Sequence, residues 1–203
     1  MRFICIVLAM AFFLPLNPGA PRADIDIGVS IGEEGVRGFY LAVSDYYRVP
    51  EQEVVVIKKR RIPDDEIPVV FFVAGRAGVS YGAIIDLRLK GLSWMDITLR
   101  LGLGPDIFYV PVKGEVKSPP YGKAYGYYAQ KGKKTVSLGD ADVVNLVNLK
   151  FLSEHYGVSP EAVIEMRSGG KNFVSINDEI KKKKGGKGKG NGNNKGKGKG
   201  SGR

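Results

Sequence analysis

The stretch GVSYGAIIDLRLKGLSWMDI at residues 78–97, the central copy, decides the fold because it recurs twice along the chain. The C-terminal copy, GVSPEAVIEMRSGGKNFVSI at residues 157–176, is identical to it at eight of twenty positions. A fainter N-terminal copy, RVPEQEVVVIKKRRIPDDEI at residues 48–67, preserves part of the apolar pattern. Recurrence of this kind is typical of repeat proteins, in which each unit buries its apolar face against its neighbours.

Two pairs of residues mark the ends of helices in the clear copies. Ser80 and Ser159 are predicted N-caps, because a serine side chain can accept a hydrogen bond from an otherwise unpaired backbone N–H. Gly91 and Gly170 are predicted to end the same helices, since glycine adopts the left-handed conformation of a helix stop at no steric cost. Each clear copy is therefore predicted to contain a helix, a tight turn and the start of a second helix.

Two further pairs of residues occupy equivalent positions in the clear copies. Trp94 and Phe173 are predicted to begin the apolar stripe of the next helix. Arg88 and Arg167 are predicted to hydrogen-bond a helix end or to pair with an acid of the next helix, and an anion pocket is the alternative. Neither pair requires a ligand for its explanation.

The whole pattern predicts a mostly all-α fold, an array of short helical hairpins in about three repeat units over residues 38–180. Residues 24–37 are predicted to form an extended arm or a short strand. Residues 104–136, rich in tyrosine, glycine and proline, are predicted to be an irregular insertion in which IFYVPV could be a short strand. Asp140 is predicted to cap the long helix that follows.

The N-terminal 23 residues have the features of an export signal. A basic residue is followed by an apolar run of about the length of a signal-peptide core, which is short for a membrane-spanning helix. We expect cleavage after Ala23 and a periplasmic or secreted location, with an uncleaved anchor as the alternative. The mature chain would then contain no cysteine, so disulfides could not staple it.

The positive charge of the chain is concentrated in a tail. Of 31 basic residues, ten lie in residues 181–203 and two in residues 1–23, which leaves 19 against all 21 acidic residues between them. The tail has no apolar side chain, and it is therefore predicted to be a disordered polycation. The tail begins with four lysines, which are predicted to bind anionic polymers: Lys181, Lys182, Lys183 and Lys184. The expected polymers are lipopolysaccharide, anionic polysaccharide or extracellular DNA. A membrane surface is a further possible partner.

A second candidate binding segment is PPYGKAYGYYAQKGKK, residues 119–134, named here the tyrosine segment. Aromatic rings interleaved with glycines and cations suit sugar faces or unstacked bases. A lid that covers the helical core is the alternative interpretation. The predicted binding residues are Tyr121, Lys123, Tyr125, Tyr127 and Tyr128.

Enzyme chemistry has little support in the residue pattern. His155 is the only histidine, and beyond Cys5 there is no cysteine, so neither a zinc site nor a nucleophile–histidine pair is expected. We predict no catalytic residue, no metal and no cofactor. The helix–turn–helix grammar is compatible with DNA recognition, but the near-neutral body argues against a sequence-specific reader.

The export signal, the GVSxxxxIxxR…G hairpins and the Lys/Gly-rich tail together resemble uncharacterised exported bacterial proteins. The resemblance implies an envelope or secreted setting and brings no activity with it. The leading hypothesis is a non-enzymatic exported protein tethered by its tail. Two alternatives are an enzyme or binding module acting on cell-envelope glycans through the tyrosine segment, and a cytoplasmic nucleic-acid-binding protein.

Overall fold

The computed structural model describes residues 33–130 and 138–187, and within these ranges the chain is all-helical with no strand. Short 3-10 turns at Asp64–Glu66 and Pro105–Phe108 add to the longer helices. The helices are α1 Glu33–Tyr47, α2 Glu51–Lys59, α3 Ile67–Ala77, α4 Tyr81–Leu89, α5 Trp94–Arg100, α6 Gly122–Ala129, α7 Asp140–Tyr156, α8 Pro160–Ser168 and α9 Phe173–Lys187.

The predicted repeat is a repeat of structure. Helices α2, α4 and α8, named here the middle helices, are each nine residues long. They begin at equivalent positions of the three copies. Ser80 and Ser159 cap α4 and α8 by accepting from the backbone N–H groups of Ala83 and Ala162, which confirms both predicted caps. The N-terminal copy has Pro50 at this place, with no side-chain cap.

Left-handed residues frame each middle helix. Gly91 and Gly170 follow α4 and α8 with φ of 87° and 88°, as predicted for helix stops. The N-terminal copy reaches the same conformation without glycine, because Arg61 adopts φ 66° there. The turns before the helices behave alike, with Gly78, Gly157 and Arg48 all at positive φ. The faint N-terminal copy is therefore a full structural unit.

Helix α7 forms the centre of the core. It packs on α3, α1, α5, α8 and α9, and its Phe151 ring meets the Phe39 ring of α1 edge to face at 5.8 Å. Helix α1 packs most extensively against α9, so the two ends of the helical array are in contact. Ile176 and Ile180 of α9 are buried in the core. The units consequently close on one another and share one hydrophobic core.

The insertion is more regular than predicted. Its described part contains a 3-10 turn and helix α6, and IFYVPV is not a strand. Phe108 packs on Phe72 of α3 with ring centroids 5.6 Å apart, and Tyr121 and Ala124 are also buried. The glycines of this segment lower its helix propensity, but burial of one face against the core outweighs that preference.

Three predicted boundaries need correction. Helix α1 begins at Glu33, so residues 33–37 are not an extended arm; residues 24–32 lie outside the described residues. Helix α9 continues to Lys187, which makes residues 181–187 helical where the disordered tail was predicted to begin. Gly139, not Asp140, is the N-cap of α7, and the Asp142 carboxylate accepts from the Gly139 N–H at 2.8 Å.

None of the helices that the structure describes is both long and apolar enough to cross a bilayer.

Candidate functional site

Arg88 joins three parts of the fold. Its guanidinium donates two hydrogen bonds to Glu66, at 2.9 and 2.7 Å, one to Asp140 at 2.6 Å and one to the Leu92 carbonyl at 3.0 Å. It also lies over the Trp94 ring, 4.9 Å from the centroid. Hydrogen bonding to Glu66 raises the pKa of Arg88. Its donors are occupied by protein acceptors, which supports the predicted structural role over an anion pocket.

Arg167 repeats part of this arrangement in the C-terminal copy, but neither of its hydrogen bonds to the described residues goes to an acid. It lies over Phe173 at 4.8 Å and donates to the Lys171 carbonyl at 2.9 Å, as Arg88 does to Trp94 and Leu92. Its second hydrogen-bond acceptor is the side-chain carbonyl of Asn145, at 3.1 Å, where Arg88 has Glu66. Both arginines therefore have a structural role in the repeat. Arg88 hydrogen-bonds to charged side chains, and Arg167 hydrogen-bonds to a neutral one.

A polar pocket of about 240 Å³ is lined by residues of the Asp64–Glu66 turn, of α7 and of α8. Three carboxylates, Asp65, Glu66 and Asp140, line it together with Arg167. Burial raises the pKa of Asp65. Because acids outnumber bases in the lining, the pocket does not suit an anionic ligand.

The tyrosine segment divides into buried and exposed residues. Tyr121 is fully buried, so its ring belongs to the core and cannot meet a ligand. Lys123 is directed towards the start of α7, where its ammonium lies 3.3 Å from Asp142. Tyr127 is partly buried and contacts the Tyr128 ring at 5.1 Å. The structure therefore separates these three residues from the cleft described next.

Tyr125 and Tyr128 line a cleft between α6 and the loop that precedes it. The Tyr125 hydroxyl donates to the Val110 carbonyl at 2.8 Å and the Tyr128 hydroxyl donates to the Pro105 carbonyl at 2.9 Å. Burial raises the pKa of both phenols. These bonds hold the two rings in fixed positions at the cleft wall.

The sequence prediction missed Tyr109, which completes the aromatic wall. Its ring meets Tyr128 at 4.9 Å and Tyr125 at 6.3 Å, both edge to face, and 45% of Tyr109 is exposed. Tyr109 was placed in the predicted strand and not in the tyrosine segment. The clustering of tyrosines throughout the insertion was the available sign that it could join the others.

Two glycines of α6 have opposite surroundings. A side chain at Gly122 would overlap the backbone carbonyl of Lys117, so glycine is required for the loop to lie against the helix. A Cβ at Gly126 would meet no atom within 4 Å, and Gly126 lines the cleft. Glycine at position 126 therefore leaves the cleft open without being needed for packing.

The predicted binding lysines extend from the last turns of α9. Lys182 pairs with Asp178 at 2.7 Å and Lys183 with Glu179 at 2.6 Å, each one helical turn back. Lys184 donates to the Tyr156 carbonyl at the end of α7. All four residues, Lys181 included, are exposed. Residues 188–203, with the other half of the tail's positive charge, lie outside the described residues.

Within residues 33–130 and 138–187, no three histidine, cysteine or acidic side chains come together as metal ligands would. Comparisons with known protein families, with curated protein sequences and with solved structures find no match for this chain. Any functional conclusion therefore depends on the chemistry of the residues described above.

Proposed function

We propose that this chain is an exported, non-enzymatic protein whose lysine-rich C-terminal segment holds it to anionic polymers of the cell envelope or its surroundings. The observation that supports this most directly is the position of Lys181–Lys184. They follow Ile180, the last buried residue of α9, without a break in the helix. A folded body thus presents the start of the polycation on a helix that is packed against α1.

The charge distribution favours the same role. Ten positive charges and no acid lie in residues 181–203, whereas residues 24–180 carry two more acids than bases. A polymer with many anionic groups gains from such a segment by counterion release, without any sequence-specific contact. The ion pairs of Lys182 and Lys183 lie at the surface and contribute little to stability, so polymer anions can compete for these ammonium groups.

Truncation tests the proposal. We compare the full chain with a chain that ends at Lys187, which keeps α9 whole and removes five of the ten positive charges. Binding to lipopolysaccharide and to mixed-sequence DNA is measured by fluorescence anisotropy across a salt series. The full chain should bind both, and truncation should reduce the slope of log affinity against log salt by about half.

A second variant isolates the helical lysines. Lys181→Gln, Lys182→Gln and Lys183→Gln are combined, while Lys184 is kept because it bonds to the Tyr156 carbonyl. This variant should also bind with a smaller salt slope and an unchanged thermal midpoint. Polyanion binding that is the same in all three proteins would contradict the proposal.

Export is tested by the mass of the protein recovered from bacterial cells that express the full chain. Cleavage after Ala23 should yield a chain that begins at Asp24, found outside the cytoplasm. A full-length cytoplasmic protein would contradict export and favour the nucleic-acid-binding alternative.

A further inference from the structure

We infer that the cleft beside α6 binds an uncharged saccharide, with a pyranose ring lying against Tyr109 and Tyr128. This site is separate from the lysine-rich segment and from the polymers proposed for it. It differs from the tyrosine segment of the sequence, because it includes Tyr109 and the preceding loop and excludes Tyr121.

The cleft has the size and shape of a ligand site. Its volume is about 690 Å³, within the range of about 300–1,000 Å³ that is usual for small-ligand clefts. One wall is α6, and the other is the loop that contains Val112, Val116 and Lys117. Gly126 leaves space on the α6 side of the cleft, because glycine has no side chain to occupy it.

The aromatic wall is rigid before any ligand arrives. The Tyr125 and Tyr128 hydroxyls donate to backbone carbonyls, so neither side chain can change its χ1 rotamer without breaking a hydrogen bond. Tyr109 packs edge to face on Tyr128 with an interplanar angle of 65°, and nearly half of its surface is open to solvent. A ligand that stacks here orders few side chains on binding, which favours affinity.

The described charges of the lining favour an uncharged partner. Among the described lining residues, Asp106 and Glu115 contribute two carboxylates and Lys117 contributes one ammonium group, which pairs with Glu115 at 2.8 Å. These residues carry no excess of positive charge that would attract a polyanion, whereas carboxylate oxygens accept hydrogen bonds from sugar hydroxyls. The C–H groups on one face of a pyranose carry slight positive charge and match the negative face of an aromatic ring.

The test uses the full chain and two uncharged probes, cellotriose and the β-1,4-linked trimer of N-acetylglucosamine. Binding is measured by isothermal titration calorimetry at low and at high salt. We expect saturable binding of at least one probe, with the same affinity at both salt concentrations because no charge is neutralised.

Gly126→Leu should block the site. A Cβ at this helical position meets no atom within 4 Å, and the rest of the leucine side chain is expected to occupy the cleft, so affinity should fall at least about tenfold with no loss of thermal stability. Gly75→Leu is the matched control, because Gly75 is an exposed glycine of α3 whose Cβ would also meet no atom within 4 Å. It should bind as the unchanged chain does.

Tyr109→Ala gives an independent variant at an exposed position. Loss of one stacking ring should weaken binding about tenfold. The inference is overturned if neither probe binds, or if Gly126→Leu binds as well as Gly75→Leu. It is also overturned if sugar binding disappears in the chain that ends at Lys187, since that truncation tests the polyanion proposal and leaves the cleft intact.

Discussion

Arg88 and Arg167 are the same residue in two copies of one motif, but Arg88 pairs with two carboxylates and Arg167 with none in the part of the chain that the structure describes. Arg88 binds the carboxylate of Glu66, whose side chain is 14% exposed, whereas Arg167 binds the neutral amide of Asn145. Loss of the arginine would leave a partly buried carboxylate unpaired in the first case only. Such a carboxylate costs far more free energy than an amide that loses one hydrogen bond.

The first prediction compares these two positions. Arg88→Ala should lower the free energy of unfolding by about 3 kcal/mol, as expected when one partner of a buried ion pair is removed. Arg167→Ala should cost only about 1 kcal/mol, the value of an ordinary hydrogen bond. Equilibrium urea unfolding measures both.

Glu66→Asn provides the control, because it gives Arg88 the kind of neutral amide acceptor that Arg167 has in Asn145. Added to Arg88→Ala, it should recover part of the lost stability. Equal effects of the two arginine substitutions would show that the charge of Glu66 is unimportant.

A residue in the left-handed conformation precedes and follows each middle helix. The copies differ in whether that residue is a glycine. Gly91 and Gly170 occupy the turn after the helix in the clear copies, but Arg61 occupies it after α2. A residue with a Cβ is strained there by about 1–2 kcal/mol. The Arg61 side chain is exposed, so the turn retains strain that glycine would remove.

The second prediction uses this difference. Arg61→Gly should raise the free energy of unfolding by about 1 kcal/mol, reduced from the full strain by the greater freedom of glycine in the unfolded chain. Gly170→Ala, the reverse change in the C-terminal copy, should lower it by a similar amount. Thermal and urea midpoints measure both, and a destabilised Arg61→Gly would be contrary to the expectation.

Across the whole molecule, tyrosine hydroxyls from several helices are buried around the core. Tyr121 of the insertion lies in the core, Tyr47 of α1 packs against it with its hydroxyl buried, and Tyr156 of α7 bonds to Asn177 of α9. Burial raises the pKa of all three phenols, that of Tyr156 to about 12. The folded chain therefore holds these protons more tightly than the unfolded chain does.

The third prediction is an alkaline transition. A phenol whose pKa is higher in the folded state leaves stability unchanged below its unfolded pKa of about 10 and lowers stability as the pH rises above that value. The urea midpoint should be level from pH 7 to 9 and fall steeply above pH 10. Phenolate absorbance should rise together with unfolding.

Tyr121→Phe is the control for this transition. Among the described residues the Tyr121 hydroxyl has no hydrogen-bond partner, so its removal should raise stability at neutral pH by about 1 kcal/mol. The same variant should show a shallower alkaline decline. An alkaline profile identical to that of the unchanged chain would exclude Tyr121 as a contributor.

Structural features that depend only on neighbouring residues could be predicted from the sequence. The caps at Ser80 and Ser159 and the stops at Gly91 and Gly170 follow from local backbone chemistry, which acts within one helical turn. The repeat then predicted the helical α2 segment despite its β-branched run at Val54–Ile57 in the sequence, because the other copies are helices.

Only the tertiary structure decided which residues meet across the fold. Asp140 lies at the start of α7, yet its carboxylate accepts from the Trp94 backbone N–H at 2.7 Å and so serves helix α5. Helix α6 forms, and Tyr121 is buried while Tyr109 reaches the cleft, because burial of apolar side chains in the hydrophobic core outweighs local propensity. Local chemistry could not show this, since the partners of these side chains come from distant parts of the chain.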